Sequence, residues 1–167
     1  MYLLVLMAVA SLAQIPSGEQ WNKKSVLTAE QPIEFPGIVL KPGNYVIRIL
    51  EGGDKRSTIQ ILNGDETQVL AKALAVPDHR MRPESGEFSY HAVPASGPRA
   101  IQSWFYPGDL TGLEFVYPKG RARELAKTSG GYVMAAGSDD GPVTAVTPNG
   151  KEIVIDEGIQ SARRKPQ

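Results

Sequence analysis

Cysteine is absent from the 167 residues, which excludes disulfide staples, thiolate metal sites, cysteine nucleophiles and a lipidated cysteine behind a leader. Histidine occurs only at His79 and His91. Neither the His-x-His nor the His-Glu-x-x-His spacing exists, so the acids near them (Asp78, Glu84, Glu87) do not complete a zinc site and no metal is expected. An excess of either charge is also missing. Lys plus Arg and Asp plus Glu number 18 each, so no global field selects nucleic acid or anionic membranes as partners. No Gly-x-Ser-x-Gly elbow, phosphate loop or dinucleotide fingerprint occurs. The chain is therefore read as non-enzymatic, with no catalytic residue and no cofactor assigned.

What the chain does contain is turn chemistry. Seventeen Gly and thirteen Pro exceed the usual share for a globular domain and suit many short strands rather than long helices. The length allows one domain with a sizeable core.

Residues Tyr2 to Ala13 are apolar or small except for Ser11, and Ser11-Leu12-Ala13 places small side chains before Gln14, as signal cleavage requires. Residues 1–13 are accordingly expected to be a signal peptide, although no Lys or Arg precedes the apolar run. A dozen residues fall short of the roughly twenty that span a bilayer, so no stable transmembrane anchor is expected. Residues 14–20 read as a linker ending at Trp21, an aromatic plug for the domain edge.

Alternation and proline-glycine punctuation then mark strands at Lys23–Glu30, Ile33–Phe35, Ile38–Leu40, Asn44–Glu51, Arg56–Asn63 and Val69–Val76. The pair 44–63 is the best hairpin. Ala71, Ala73 and Ala75 share a face that leaves room for rings opposite. Pro77 to Gly86 reads as the longest loop, followed by strands at Glu87–Val93 and Arg99–Tyr106. The stretch Trp104–Pro118 holds five of the aromatic side chains and reverses at Pro107-Gly108-Asp109. After it, Ala122, Leu125 and Ala126 at i, i+3 and i+4, with Gly130-Gly131 beyond, predict one helix over 119–129 that docks on a sheet edge. Residues 130–167 are expected to be a flexible tail, with a hairpin possible between Val143–Val146 and Glu152–Ile155 across an Asn-Gly turn.

The candidate ligand-binding residues are Trp104, Tyr106, Asp109 and Tyr117, because flat rings beside a carboxylate suit a sugar or a peptide. Packing in the core is the competing expectation for every one of these rings. Asp109 and Glu114 are the only carboxylates considered for a sugar-hydrolysing pair, which needs both to face one cleft; otherwise Glu114 is an edge residue. Oxygen clusters at Asn63, Asp65 and Glu66, and at Asp139 and Asp140, lack the twelve-residue calcium loop and read as turns.

The stretches Trp21-Asn22-Lys23-Lys24, Phe35-Pro36-Gly37 to Pro42-Gly43-Asn44-Tyr45, Trp104-Phe105-Tyr106-Pro107-Gly108-Asp109 and Glu114-Phe115-Val116-Tyr117-Pro118-Lys119, running into Ala122 and Glu124 to Lys127, are those in which this chain resembles a group of small exported bacterial β proteins with no assigned function. The resemblance spans about Trp21 to Lys127. It implies an envelope-located β domain and brings no catalytic residues with it.

The expected fold is mainly β: an antiparallel sandwich or partly closed barrel over 21–129 with one short C-terminal helix and an extended tail. The expected role is a non-catalytic structural or binding module, periplasmic or extracellular, that assembles with itself or a protein partner by strand addition at a sheet edge or through the tail. The runner-up is a carbohydrate-binding module or weak glycan hydrolase.

Overall fold

Alternating burial sets the first strand. In β1 (Lys24–Ala29), Ser25, Leu27 and Ala29 turn inward while Lys24, Val26 and Thr28 face solvent, the period-two pattern of a strand with one covered face. The computed structural model describes residues 23–53, 55–82 and 86–155. The expected leader over 1–13, the linker over 14–20, Trp21 and residues 156–167 lie outside them.

Pro36-Gly37, with Gly37 at a φ of 88°, reverses β2 (Ile33–Phe35) into β3 (Ile38–Leu40). β4 (Gly43–Gly52), β5 (Ser57–Asn63) and β6 (Val69–His79) form an antiparallel meander. β7 (Phe88–Tyr90), β8 (Arg99–Trp104) and β9 (Thr111–Phe115) complete the large sheet. Its order is β1-β4-β5-β6-β9-β8-β2-β3, with β7 paired to β8 off that path. The architecture is mainly β and sandwich-like, and the sheets are not closed into a barrel. Pairing is antiparallel except between β2 and β8 and at one contact in the second sheet.

That second sheet joins β10 (Tyr117–Pro118), β11 (Val133–Ala136), β12 (Thr144–Val146) and β13 (Glu152–Val154). α1 (Lys119–Ser129) is the crossover between the parallel strands β10 and β11. It buries Ala122, Leu125 and Ala126 and ends at Gly130, left-handed at φ 70°, whose N–H bonds the Ala126 carbonyl. The helix thus covers the second sheet instead of docking on an edge of the first. Residues 133–154, expected to be mobile, are three strands in which Val133, Ala135 and Val146 are fully buried. The small residues that looked like a flexible tail permit close approach of helix and sheet. The hairpin expected there is the β12–β13 pair.

The main core runs from the inner face of the large sheet to the helix stripe and the inner side of β11 and β12. Phe35 meets Phe115 edge to face at 5.2 Å between centroids, and Phe115 sits beside Ala75 on the neighbouring strand, both fully buried. A smaller cluster joins Val76 and Val116 to Met134, Ala136 and Ala145. One ion pair fixes the helix on the large sheet: Arg121 donates from Nε and Nη2 to the two carboxylate oxygens of buried Glu34, each at 2.7 Å, a fork geometry that only Arg supplies. Lys119 and Arg123 converge on Glu152 of β13 at 2.7 and 2.6 Å and tie the helix to the second sheet's edge.

Candidate functional site

At one end of the large sheet, β6 ends beside the start of β9 and β8 leads into the turn that the sequence marks. Asp109 donates its backbone N–H to the Tyr106 carbonyl at 3.0 Å, with Pro107 and left-handed Gly108 (φ 83°) at the two central positions, the arrangement of a type II turn. Behind it, Gly112 lies where a Cβ would stand 2.6 Å from the Trp104 carbonyl and 2.5 Å from Phe105 Cδ1. Glycine is thus required for β9 to pass so close to β8.

This packing leaves a cleft of 370 Å³. Its apolar walls are Ile49, Pro77, Trp104 and Leu113; its polar groups are Ser57, His79, Asp109 and Thr111; and the backbone of Gly52 and Gly53 closes one side. Lys23 reaches across from the start of β1 to form an ion pair with Asp109, and its ammonium sits 5.2 Å from the Tyr106 ring centre. Thr111 Oγ1 lies 3.2 Å from His79 Nδ1. Arg80 buttresses the turn from behind: its backbone N–H bonds the Leu110 carbonyl, its Nε bonds the Asp109 carbonyl at 3.0 Å, and its guanidinium stacks 4.5 Å from the Phe105 centre.

Three of the four sequence-derived candidates meet here. Tyr106 is the exposed one, at 39 %, whereas Trp104 is 2 % exposed. Its Nε1–H donates to Ser25 Oγ at 3.0 Å, joining β8 to β1 through the interior. Tyr117 is elsewhere. It is buried in the main core, its hydroxyl donating to the Ile101 carbonyl at 2.7 Å, and burial holds its ionisation well above the ordinary tyrosine value.

Compared with family models, curated proteins and solved structures, the chain matches none of them.

The remaining candidates sort themselves by position. Leu113 lines the cleft, so Glu114, next along β9, faces the opposite side of the sheet and is buried there, 1 % exposed, opposite Ser103 and Val76. The Asp109–Glu114 pair thus does not face one cleft, and Glu114 is not an edge residue. His91 packs edge to face on Tyr117 at 5.9 Å, while His79 stands in the cleft. Among the described residues no three His, Asp or Glu side chains gather as metal ligands. Asp65 accepts the backbone N–H and hydroxyl of Thr67 at 3.1 and 2.6 Å, which holds its carboxyl below the ordinary range, and Glu66 is paired with Lys24; both belong to the turn. Sequence reasoning missed Lys23, Thr111 and the Gly52-Gly53 wall. The β6–β9 register sets Thr111 opposite His79, and Lys23 reaches the turn through its ion pair with Asp109.

The cleft is mostly apolar with a few convergent polar atoms, and its volume is near the lower end for small-ligand sites, about 300–1,000 Å³. Ser57 and His79 place a hydroxyl and an imidazole on its lining.

Proposed function

We propose that this chain is a non-catalytic binding module of the cell envelope, exported by its N-terminal apolar segment, and that the cleft between β6, β9 and the 105–110 turn receives a single ring or side chain of its ligand. The observation that carries the reading is the convergence of Trp104, Tyr106 and Asp109 with His79 and Thr111 on one cleft of 370 Å³. Among the described residues no helix is long and apolar enough to cross a membrane. A buried Trp104 and a Lys23 ammonium already over Tyr106 leave no broad stacking platform, which favours a peptide side chain over a sugar face.

Glycan binding is the second reading, favoured by the half-exposed Tyr106 ring beside Asp109. Parallel glycan and peptide arrays probed with the mature protein separate the two. Binding of peptides with an aromatic or large aliphatic residue, lost in Thr111→Trp, supports the first. Glycan binding lost in Tyr106→Ala supports the second. Binding unaffected by either substitution overturns the cleft assignment. Mass spectrometry of protein recovered from its host tests export: a mature chain beginning at Gln14 is expected, and an intact Met1 contradicts cleavage.

A further inference from the structure

We infer that the outer edge of β1 pairs with the same edge of a second copy, joining two large sheets across a twofold axis through Val26. The reasoning starts from backbone parity. The Ile49 N–H donates to the Lys23 carbonyl at 3.4 Å, and Ser25, Leu27 and Ala29 follow at two-residue steps in register with Ile47, Tyr45 and Gly43. Lys23 and these residues therefore point their N–H and C=O groups toward β4. By alternation, Lys24, Val26 and Thr28 point theirs outward, away from the sheet. Among the described residues no strand other than β4 pairs with β1.

An edge whose three outward N–H and three outward C=O groups meet no other strand among the described residues invites strand addition unless something guards it. The usual guard is a lysine. Here the Lys24 ammonium is held by Glu66 at 2.8 Å, so its charge is compensated within the subunit. The remaining outward side chains are Thr28 and Val26, the latter 63 % exposed. The other sheet edges are less suited: β3, β7 and β13 have three residues each and β10 two, with Glu152 of β13 tied back to α1.

β1 is self-complementary in one antiparallel register. Val26 opposes Val26 of the second copy, and Lys24 opposes Thr28, twice. All three are hydrogen-bonded pairs, each exchanging two bonds, so all six outward backbone groups are satisfied without two lysines meeting. The β-branched valines meet at the dyad, a favourable cross-strand pair. The contact is isologous and closes at two copies, leaving no free β1 edge for a third.

The full mature chain tests this by sedimentation velocity between 1 and 100 µM, order-of-magnitude limits that bracket a micromolar Kd. A concentration-dependent dimer is expected; a monomer throughout overturns the inference. Because the chain has no cysteine, Val26→Cys introduces a single thiol at the dyad. Paired Cα atoms about 5.5 Å apart fall within disulfide range, so mild oxidation should give a covalent dimer far faster than Val39→Cys, which places a thiol on β3. Equal rates contradict the register. Thr28→Lys sets like charges opposite each other twice and should weaken the dimer about tenfold, whereas Thr28→Glu sets glutamate opposite Lys24 and should preserve or tighten it. If the two substitutions act alike, the twofold pairing is wrong.

Discussion

Gly112→Ala isolates the close approach that shapes the cleft. In an ordinary strand, replacing glycine with alanine stabilises by roughly 0.5–1 kcal/mol, because glycine loses more backbone freedom on folding. At Gly112 the added methyl would stand 2.5 and 2.7 Å from two Phe105 ring atoms and 2.6 Å from the Trp104 carbonyl, against optimal carbon contacts of about 3.5–4.0 Å. The Phe105 ring can swing away only by leaving its contact with Arg80, worth about 0.5–1 kcal/mol. The Trp104 carbonyl cannot swing, since Trp104 is held in register with Leu113 and Phe88. Overpacking of this kind costs about 1–3 kcal/mol; the lost ring contact and the generic gain are each about 0.5–1 kcal/mol and offset one another, so net destabilisation of about 1–3 kcal/mol is expected. Urea unfolding followed by circular dichroism reads it as a lower midpoint at unchanged slope. Gly120→Ala is the control: nothing lies within 4 Å of the added Cβ, and in α1 the exchange should stabilise by up to about 1 kcal/mol. A Gly112→Ala protein as stable as the parent refutes the close-approach reasoning.

Arg121→Met leaves Glu34, 9 % exposed, without its two charge-assisted bonds. Breaking a fully buried pair costs about 3–5 kcal/mol, but the Arg121 side chain is 39 % exposed, so solvent screening lowers the expectation to about 1–2 kcal/mol. Adding Glu34→Gln should recover part of that loss in a double-mutant cycle, and strict additivity contradicts direct coupling. Lys119 and then Arg123, donating to Glu152, hold its carboxyl below the ordinary range. A lowered folded-state value means that this stabilisation is complete above the unfolded glutamate value, about 4.3, and is lost as pH falls through the folded one. Glu152→Gln should therefore lower stability at neutral pH and flatten its acid dependence; an acid limb of unchanged slope goes against it. Tyr117 is the opposite case, raised chiefly by burial. Its contribution is complete below about 10 and lost as pH climbs above that, so Tyr117→Phe should soften alkaline unfolding seen by tyrosinate absorbance.

The elements that alternate cleanly between proline-glycine turns were legible at residue level: Ile33–Phe35, Ile38–Leu40 and both ends of α1 match their expected limits. Punctuation and period are local, and these segments carry both. β11 was illegible for the converse reason, since Val133, Met134, Ala135 and Ala136 are all buried and a strand covered on both faces shows no period. Pro77 to His79 read as loop because the composition turns polar there, yet β6 continues through them beside β9. At the site, the turn and its aromatics stood out, but alternation cannot tell which face of a strand is covered. Tyr117 and Trp104 therefore looked as available as Tyr106. Lys23 meets Asp109 across 86 positions of sequence, a distance that no local pattern spans.

Backbone amide NMR of the protein during a screen of aromatic fragments and short peptides examines the cleft most directly. Binding compounds should shift Gly52, Gly53, His79, Thr111 and Gly112 together, and Thr111→Trp, which fills the space, should abolish those shifts while leaving the core resonances in place. Shifts that cluster elsewhere, or that survive the filled cleft, would contradict a binding site at this end of the sheet.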